Sequence, residues 1–297
     1  MNKELPEIVA EVGLNHNGSV ELANEIAINC LTAASATKYP LDKIFIKFQK
    51  RFPEVSVPKD MWEVQRVSPV TGLVTSYIDY KKEIEFEYDD YVQFDWLMHE
   101  CGGWFVSVWD EPSAFFVGDN FPDLPYIKIP SAHITNRELI QAAGTTGIPL
   151  IISTGMSTKE EIIYAMEYAK IYSTTLALPT VLSCTAEYPC ADEHLNFFKL
   201  DWLQQGFGMP FGGYYRHGFS SHSPSPFPAI YSNFFDVDMI EVHVTADRSL
   251  PGSDQAASLE YAGFELLLRE TIRISKLWGT GEFMFEQEKM KKDQLRG

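Results

Sequence analysis

Two lysines stand inside otherwise apolar runs of this chain, Lys47 in FIKFQ and Lys128 in YIKIP. Two histidines close later apolar runs, His222 in GFSSHS and His243 in IEVHVT. A lysine flanked by core residues needs a partner, because an unpaired buried charge is costly. With serines nearby, the two lysines suit an anion, phosphate or carboxylate, held by charge-assisted hydrogen bonds. The alternative is a structural ion pair with Glu11. The two imidazoles end consecutive strands, which lie ~4.8 Å apart in a sheet, so they can share one metal ion. Two protein ligands leave the sphere incomplete. Water, substrate oxygen or a carboxylate must finish it, which suits Mn²⁺, Mg²⁺ or Co²⁺ better than structural zinc.

A third polar group opens the chain. EVGLNHNGS, residues 11–19, follows the apolar Ile8-Val9-Ala10. Ser19 can cap a following helix and Gly18 can supply the turn, but Glu11, Asn15 and His16 are needed for neither task. Asp254 lies in LPGSDQ, where a turn or cap role is the ordinary reading. His217 is expected lower in the same strand as His222, with His99 and His194 on the surface.

These residues need elements that bring them together. Eight β-rich runs recur: 8–12, 43–48, 104–109, 126–129, 149–153, 180–184, 217–221 and 239–244. Helical patterns separate them, ending in the amphipathic SLEYAGFELLLRETIRISKLW. Strands alternating with helices imply parallel βαβ units, and eight such units predict an α/β fold, a single-domain (β/α)₈ TIM barrel. A doubly wound sheet is disfavoured because no GxGxxG follows the first strand. In a barrel all strands end on one face. The ends read in order as Glu11; Lys47 and Gln49; Ser107; Lys128, Ser131 and His133; Ser153 and Thr154; Thr185 and Tyr188; Ser220 and His222; His243 and Thr245. Residues 50–85 form a long insertion after the second strand, expected either as a lid carrying Trp62, Tyr77 and Tyr80 or as a surface loop packed on the second helix.

Composition limits the functions. A net charge of −17, from 41 acidic and 24 basic residues, repels phosphate backbones and disfavours nucleic acid. The start shows no signal peptide, and no run reaches the ~20 apolar residues of a membrane helix. Four separated cysteines, without metal-site or CxxC spacing, predict reduced thiols and a cytoplasmic protein.

The motifs together resemble the N-acetylneuraminate (sialic acid) synthase family. EVGLNHNGS, IKFQ, KIPSA, ISTGMS, CTAEYP, GFSSHS and HVTADRSLPGSD occur in the family's order, and the likeness runs from about residue 7 to 275. The resemblance implies condensation of phosphoenolpyruvate with an N-acetylated amino-sugar aldehyde, such as N-acetylmannosamine, giving a nonulosonic acid and phosphate. It implies Glu11 as the active-site carboxylate, and Lys47, Lys128, Ser131, Ser153 and Ser220 around phosphoenolpyruvate. It makes His222 and His243 ligands of a divalent metal, Mn²⁺ first, and places Asp254 against the acceptor or metal-bound water. Gln49 and Tyr188 fall on substrate contacts, and His133 on the acceptor side.

The chain departs from the family pattern at His133, where a carboxylate is usual, at Ser221 for Asp, at Ala186 for Asn, and at Val108-Trp109 for Thr-Pro. Family members usually carry a further antifreeze-like domain after the barrel, absent from this sequence. The expectation is a homodimer, with a separately encoded capping domain or a different reading of the acceptor. Two other functions compete. A silent sugar- or protein-binding barrel would not need the metal pair, and the related octulosonate and heptulosonate phosphate synthases need extra basic residues for a phosphorylated acceptor, for which no cluster is evident.

Overall fold

A computed structural model of the chain describes residues 4–206, 215–279, 282 and 284–296. The strands are β1 (Glu7–Gly13), β2 (Ile44–Lys50), β3 (Gln65–Val67), β4 (Val74–Ser76), β5 (Gly103–Val108), β6 (Ile127–Ile129), β7 (Leu150–Ser153), β8 (Thr180–Ser183), β9 (Arg216–Ser221) and β10 (Met239–His243). Eight of them close a barrel in the order β1-β10-β9-β8-β7-β6-β5-β2, with all neighbouring strands parallel. All eight runs expected to be strands are barrel strands. The fold is the (β/α)₈ TIM barrel.

The helices are α1 (Val20–Thr37), α2 (Pro53–Ser56), α3 (Tyr77–Glu83), α4 (Tyr88–Leu97), α5 (Glu111–Asn120), α6 (Arg137–Thr145), α7 (Lys159–Tyr172), α8 (Phe197–Gln205), α9 (Phe227–Ser232), α10 (Tyr261–Leu277) and α11 (Glu286–Arg296). No described helix is long and apolar enough to cross a membrane. Ser19 caps α1 as its sequence position predicts, accepting from the Leu22 N–H at 3.1 Å. Alanines Ala23, Ala27, Ala33 and Ala34 let α1 lie close against the outward faces of β1 and β2, where Ile8, Ala10, Ile44 and Ile46 are buried.

The lumen explains why the site forms where it does. Side chains alternate along a strand, so residues two apart share a face. Val9, Phe45, Phe105, Tyr126, Ile151, Leu182 and Met239 form an apolar plug inside the barrel. Two residues further along the same strands, on the same face, lie Glu11, Lys47, Ser107, Lys128, Ser153, Cys184 and Glu241. The plug closes the lumen below, and the next layer is polar and opens upward. That is the layering expected of this architecture. Gly218 makes room on β9, since a Cβ there would stand 2.3 Å from the Met239 carbonyl oxygen.

The insertion after β2 is folded. It contains α2, the antiparallel hairpin β3–β4, and α3, which Ser76 caps through the Asp79 N–H. It packs against the loop after β1: His16 stacks on Phe86 at 4.0 Å between ring centroids, and Gly18 lies under the Glu83 carbonyl. Gly18 has φ +79°, and a Cβ on it would come within 2.6 Å of that oxygen. Only glycine satisfies both demands.

Candidate active site

The polar layer opens into a cavity of about 260 Å³ at the C-terminal ends of the strands. Register places Glu11 level with Lys47 on one side and with His243 on the other, and Ser107 level with Lys128. Lys47 Nζ lies 2.6 Å from Glu11 Oε2 and 3.7 Å from Glu241 Oε2, and donates to Ser107 Oγ at 3.0 Å. Lys128 Nζ reaches both oxygens of Glu241, at 2.6 and 2.8 Å. Ser220 Oγ donates to Glu241 Oε1 at 3.0 Å. Both lysines are thus paired with carboxylates: Lys47 with Glu11, as the ion-pair alternative expects, and Lys128 with Glu241. Two ammonium groups and two carboxylates leave the floor electrically balanced.

Burial alone would raise Glu241, but Lys128 and Lys47 outweigh it and hold the carboxyl at about 2. Lys47 is shifted downward because burial penalises its charge more than Glu11 and Glu241 favour it. Gln49 donates to Glu11 Oε1 at 3.1 Å and accepts from Arg51, whose Nε lies 2.7 Å from Glu85 Oε1. The Arg51 guanidinium carbon also lies over Trp109, 4.5 Å from the ring centroid.

On the opposite wall, Ser131 Oγ accepts from the Gly155 N–H at 2.9 Å and touches Cys184 Sγ at 3.1 Å. Ser153 Oγ is buried without a hydrogen-bond partner. An unsatisfied hydroxyl on a cavity wall is what a ligand oxygen would complete.

His222 and His243 lie 5.3 Å apart between ring centroids, and Tyr188 stacks on His222 at 4.0 Å. His222 Nδ1 contacts the Thr185 carbonyl, which assigns the proton to Nδ1 and leaves Nε2 with its lone pair, 3.0 Å from the Tyr188 hydroxyl. Burial, reinforced by His243, lowers His222 to about 3, so it is neutral near pH 7. His243 Nδ1 is buried without a hydrogen bond, and Asp254 Oδ2 stands 3.7 Å away. His222 Nε2 and the unsatisfied Nδ1 of His243 are nitrogens that fit a divalent ion. Among the described residues, no group of three or more His, Cys, Asp or Glu side chains could hold it alone.

Glu11, Lys47, Lys128, Gln49, Ser131, Ser153, Tyr188, His222, His243 and Asp254 all reach the cavity wall. Two residues expected on it stand behind it. Ser220 orients Glu241, and His133 packs edge-on against Trp109 at 5.4 Å, leaving Ala132 and Trp109 to form that part of the surface. Asn15 and His16 are also support: Asn15 donates to the Val244 carbonyl at 2.9 Å and to Ser258 Oγ at 2.7 Å. His217 lies near the foot of β9, its Nε2 3.0 Å from the Phe235 carbonyl oxygen, while His99 and His194 are exposed.

Three charged wall residues escaped sequence reasoning: Glu241, Arg51 and Lys81. Glu241 had a signal, because it stands two residues before His243 on the same strand face and inside an apolar run. Arg51 and Lys81 belong to the insertion. Trp62, Tyr77 and Tyr80 from that segment do not line the cavity; Trp62 Nε1 donates to the Val57 carbonyl, and both tyrosines face Arg66.

A closed parallel barrel with this polar layer at its C-terminal end defines a (β/α)₈ protein with one deep site. The chain belongs to the NeuB family, which it matches over residues 35–283. It is 27% identical over 278 residues to the N,N'-diacetyllegionaminic acid synthase of Legionella pneumophila, covering 93% of this chain and 74% of that protein. It is 24% identical over 279 residues to the N-acetylneuraminate-9-phosphate synthase of Mus musculus, covering 92% and 71%. The crystal structure of an N-acetylneuraminic acid (sialic acid) synthetase from Leptospira borgpetersenii, in complex with citrate, matches with a TM-score of 0.75 at 26% identity, covering 99% of this chain and 93% of that one.

Proposed function

We propose that the protein condenses phosphoenolpyruvate with an N-acetylated amino-sugar aldehyde, giving a nine-carbon 2-keto acid sugar and inorganic phosphate. The observation that carries this reading is the two buried pairs, Lys47–Glu11 and Lys128–Glu241, set beside the imidazoles of His222 and His243, the latter with an unsatisfied Nδ1. Phosphoenolpyruvate carries a carboxylate and a phosphate, and the two lysines with Ser131 and Ser153 offer donors to both.

A new bond forms between carbon 3 of phosphoenolpyruvate and the aldehyde carbon, whose oxygen becomes a hydroxyl. Positive charge develops at carbon 2, water adds there, and the phosphate departs with its bridging oxygen. Glu11 is the carboxylate placed to stabilise that cation and accept the water's proton. Glu241 and Ser220 keep Lys128 fixed, so the anion is oriented before reaction. His222 and His243 would hold a divalent ion, Mn²⁺ foremost, which supplies Lewis-acid polarisation of the aldehyde. Asp254 beside His243, together with Gln49, lies where the acceptor would enter.

The test is phosphate release from phosphoenolpyruvate with Mn²⁺ across a panel of amino-sugar aldehydes. Release that depends on the sugar, with matching consumption of aldehyde, is expected. Release without the sugar, or none with any sugar, would overturn the reading.

A further inference from the structure

Phosphoenolpyruvate brings an ionised carboxylate and an ionised phosphate onto a floor whose cations are already matched. Lys47 faces Glu11 at 2.6 Å and Lys128 faces Glu241 at 2.6 Å. On the wall, Arg51 pairs with Glu85 at 2.7 Å, and Lys81 faces the carboxylates of Glu85 and Asp254. Lys199, behind the wall on α8, differs from all of these. Among the described residues no carboxylate stands at ion-pair distance from it. Its ammonium donates instead to the Thr154 carbonyl at 2.7 Å and to the Cys184 carbonyl at 3.1 Å. Lys199 is also in the first turn of its helix, where a positive charge opposes the helix dipole, so α8 gains nothing by carrying it.

The two carbonyls lead to one side chain. Thr154 follows β7 and Cys184 follows β8, neighbouring strands of the barrel. A trans peptide points its C=O and its N–H in opposite directions. The Thr154–Gly155 peptide therefore holds Lys199 on its oxygen, while its N–H donates to Ser131 Oγ at 2.9 Å. Cys184 repeats the link: its carbonyl takes the ammonium, and its Sγ touches Ser131 Oγ at 3.1 Å. Gly155 allows this packing, since a Cβ there would stand 2.8 Å from the same hydroxyl. A cation on the oxygen of a peptide polarises it and strengthens donation from its N–H. Ser131 lines the cavity, so the effect ends at the ligand.

We infer that Lys199 is a positioning residue for phosphoenolpyruvate: its unpaired charge acts through the Thr154–Gly155 peptide and Cys184 to fix the Ser131 hydroxyl as a donor to the substrate anion. This rests on the condensation reading and adds to it a residue that touches no substrate. Burial lowers the pKa of Lys199, as expected of an ammonium held by neutral carbonyls.

Calorimetry of phosphoenolpyruvate binding tests the inference without turnover or metal. K199M should weaken binding about tenfold, the scale of one charge-assisted contact. K199R should stay close to wild type, because a guanidinium keeps the charge and can reach both carbonyls. K199Q can donate to a carbonyl but carries no charge, so it should be as weak as K199M. K276M removes the same charge from the exposed last turn of α10 and should bind as the wild type does. A cycle with S131A separates positioning from a general loss of structure. In that background K199M should cost less than about threefold, because the hydroxyl it acts on is gone. Wild-type affinity in K199M or K199Q, or a full tenfold loss on top of that of S131A, would overturn the inference. Should K199M not fold, K199R, K199Q and their doubles with S131A carry the same comparison. Absence of phosphoenolpyruvate binding by the wild type would overturn the condensation reading, whereas normal binding and condensation by K199M would overturn this inference alone.

Discussion

Lys128 on β6 and Glu241 on β10 meet across the lumen, the ammonium contacting both carboxylate oxygens at 2.6 and 2.8 Å. Neither side chain is exposed by more than a few per cent, so each is the other's replacement for water. Breaking this pair from one side leaves an uncompensated buried charge. Glu241→Ala should destabilise the protein by about 3–5 kcal/mol in urea unfolding. A Lys128→Met, Glu241→Leu double variant should regain most of that stability yet lose phosphoenolpyruvate affinity. A double variant as unstable as the single one would show that the pair itself holds the barrel together.

Metal binding should depend on the paired imidazoles. With two protein ligands, roughly one Mn²⁺ per chain should bind with modest affinity, and a chelator should remove it without unfolding the barrel. Alanine at both His222 and His243 should abolish binding while far-UV circular dichroism is retained. Tight Mn²⁺ binding by that double variant would disprove the assignment.

His16 should make stability fall in mild acid. Burial lowers its folded-state pKa to about 3, below the ~6.5 of an unfolded histidine, so the unfolded chain takes up the proton first. The contribution is complete above the unfolded value and is lost as pH falls towards 3. Between pH 7 and pH 5 this amounts to roughly 2 kcal/mol. Urea midpoints for wild type and His16→Gln at the two pH values should differ by that slope; parallel slopes would refute the assignment.

The folded insertion should act on the acceptor. Ser68 Oγ donates to Glu83 at 2.6 Å, which ties the hairpin to α3 and so to Lys81. Deleting residues 54–70 removes that tie together with α2 and β3. Acceptor KM should rise about tenfold or more, with phosphate release uncoupled from condensation. Mn²⁺ binding and barrel circular dichroism should persist. Unchanged kinetics would make the segment a passive surface element.

Much of this site was legible because a barrel strand repeats every two residues. Once Val9 or Phe45 is assigned to the lumen, Glu11 and Lys47 must face it too. The same rule would have exposed Glu241, since two lumen lysines require two carboxylates and Glu11 supplies one. Lys81 was not legible. In KKEIEF it reads as part of a solvated helix face, and its burial arises from how the insertion folds over the mouth. His133 misled for a related reason: its position is beside the site, but Trp109 occupies the surface in front of it.

Gly18 gives the mouth a fixed gauge. The loop after β1 and the end of α3 approach until backbone nearly meets backbone, and the missing side chain sets that separation. Any replacement must lift the Glu83 carbonyl, and Lys81 sits two residues earlier on the same helix. A methyl group far from any substrate would therefore move the cation at the entrance while leaving the floor lysines where they are. The width of the mouth is set by a glycine on a different segment, so selectivity for the acceptor can drift without any change in the residues that touch it.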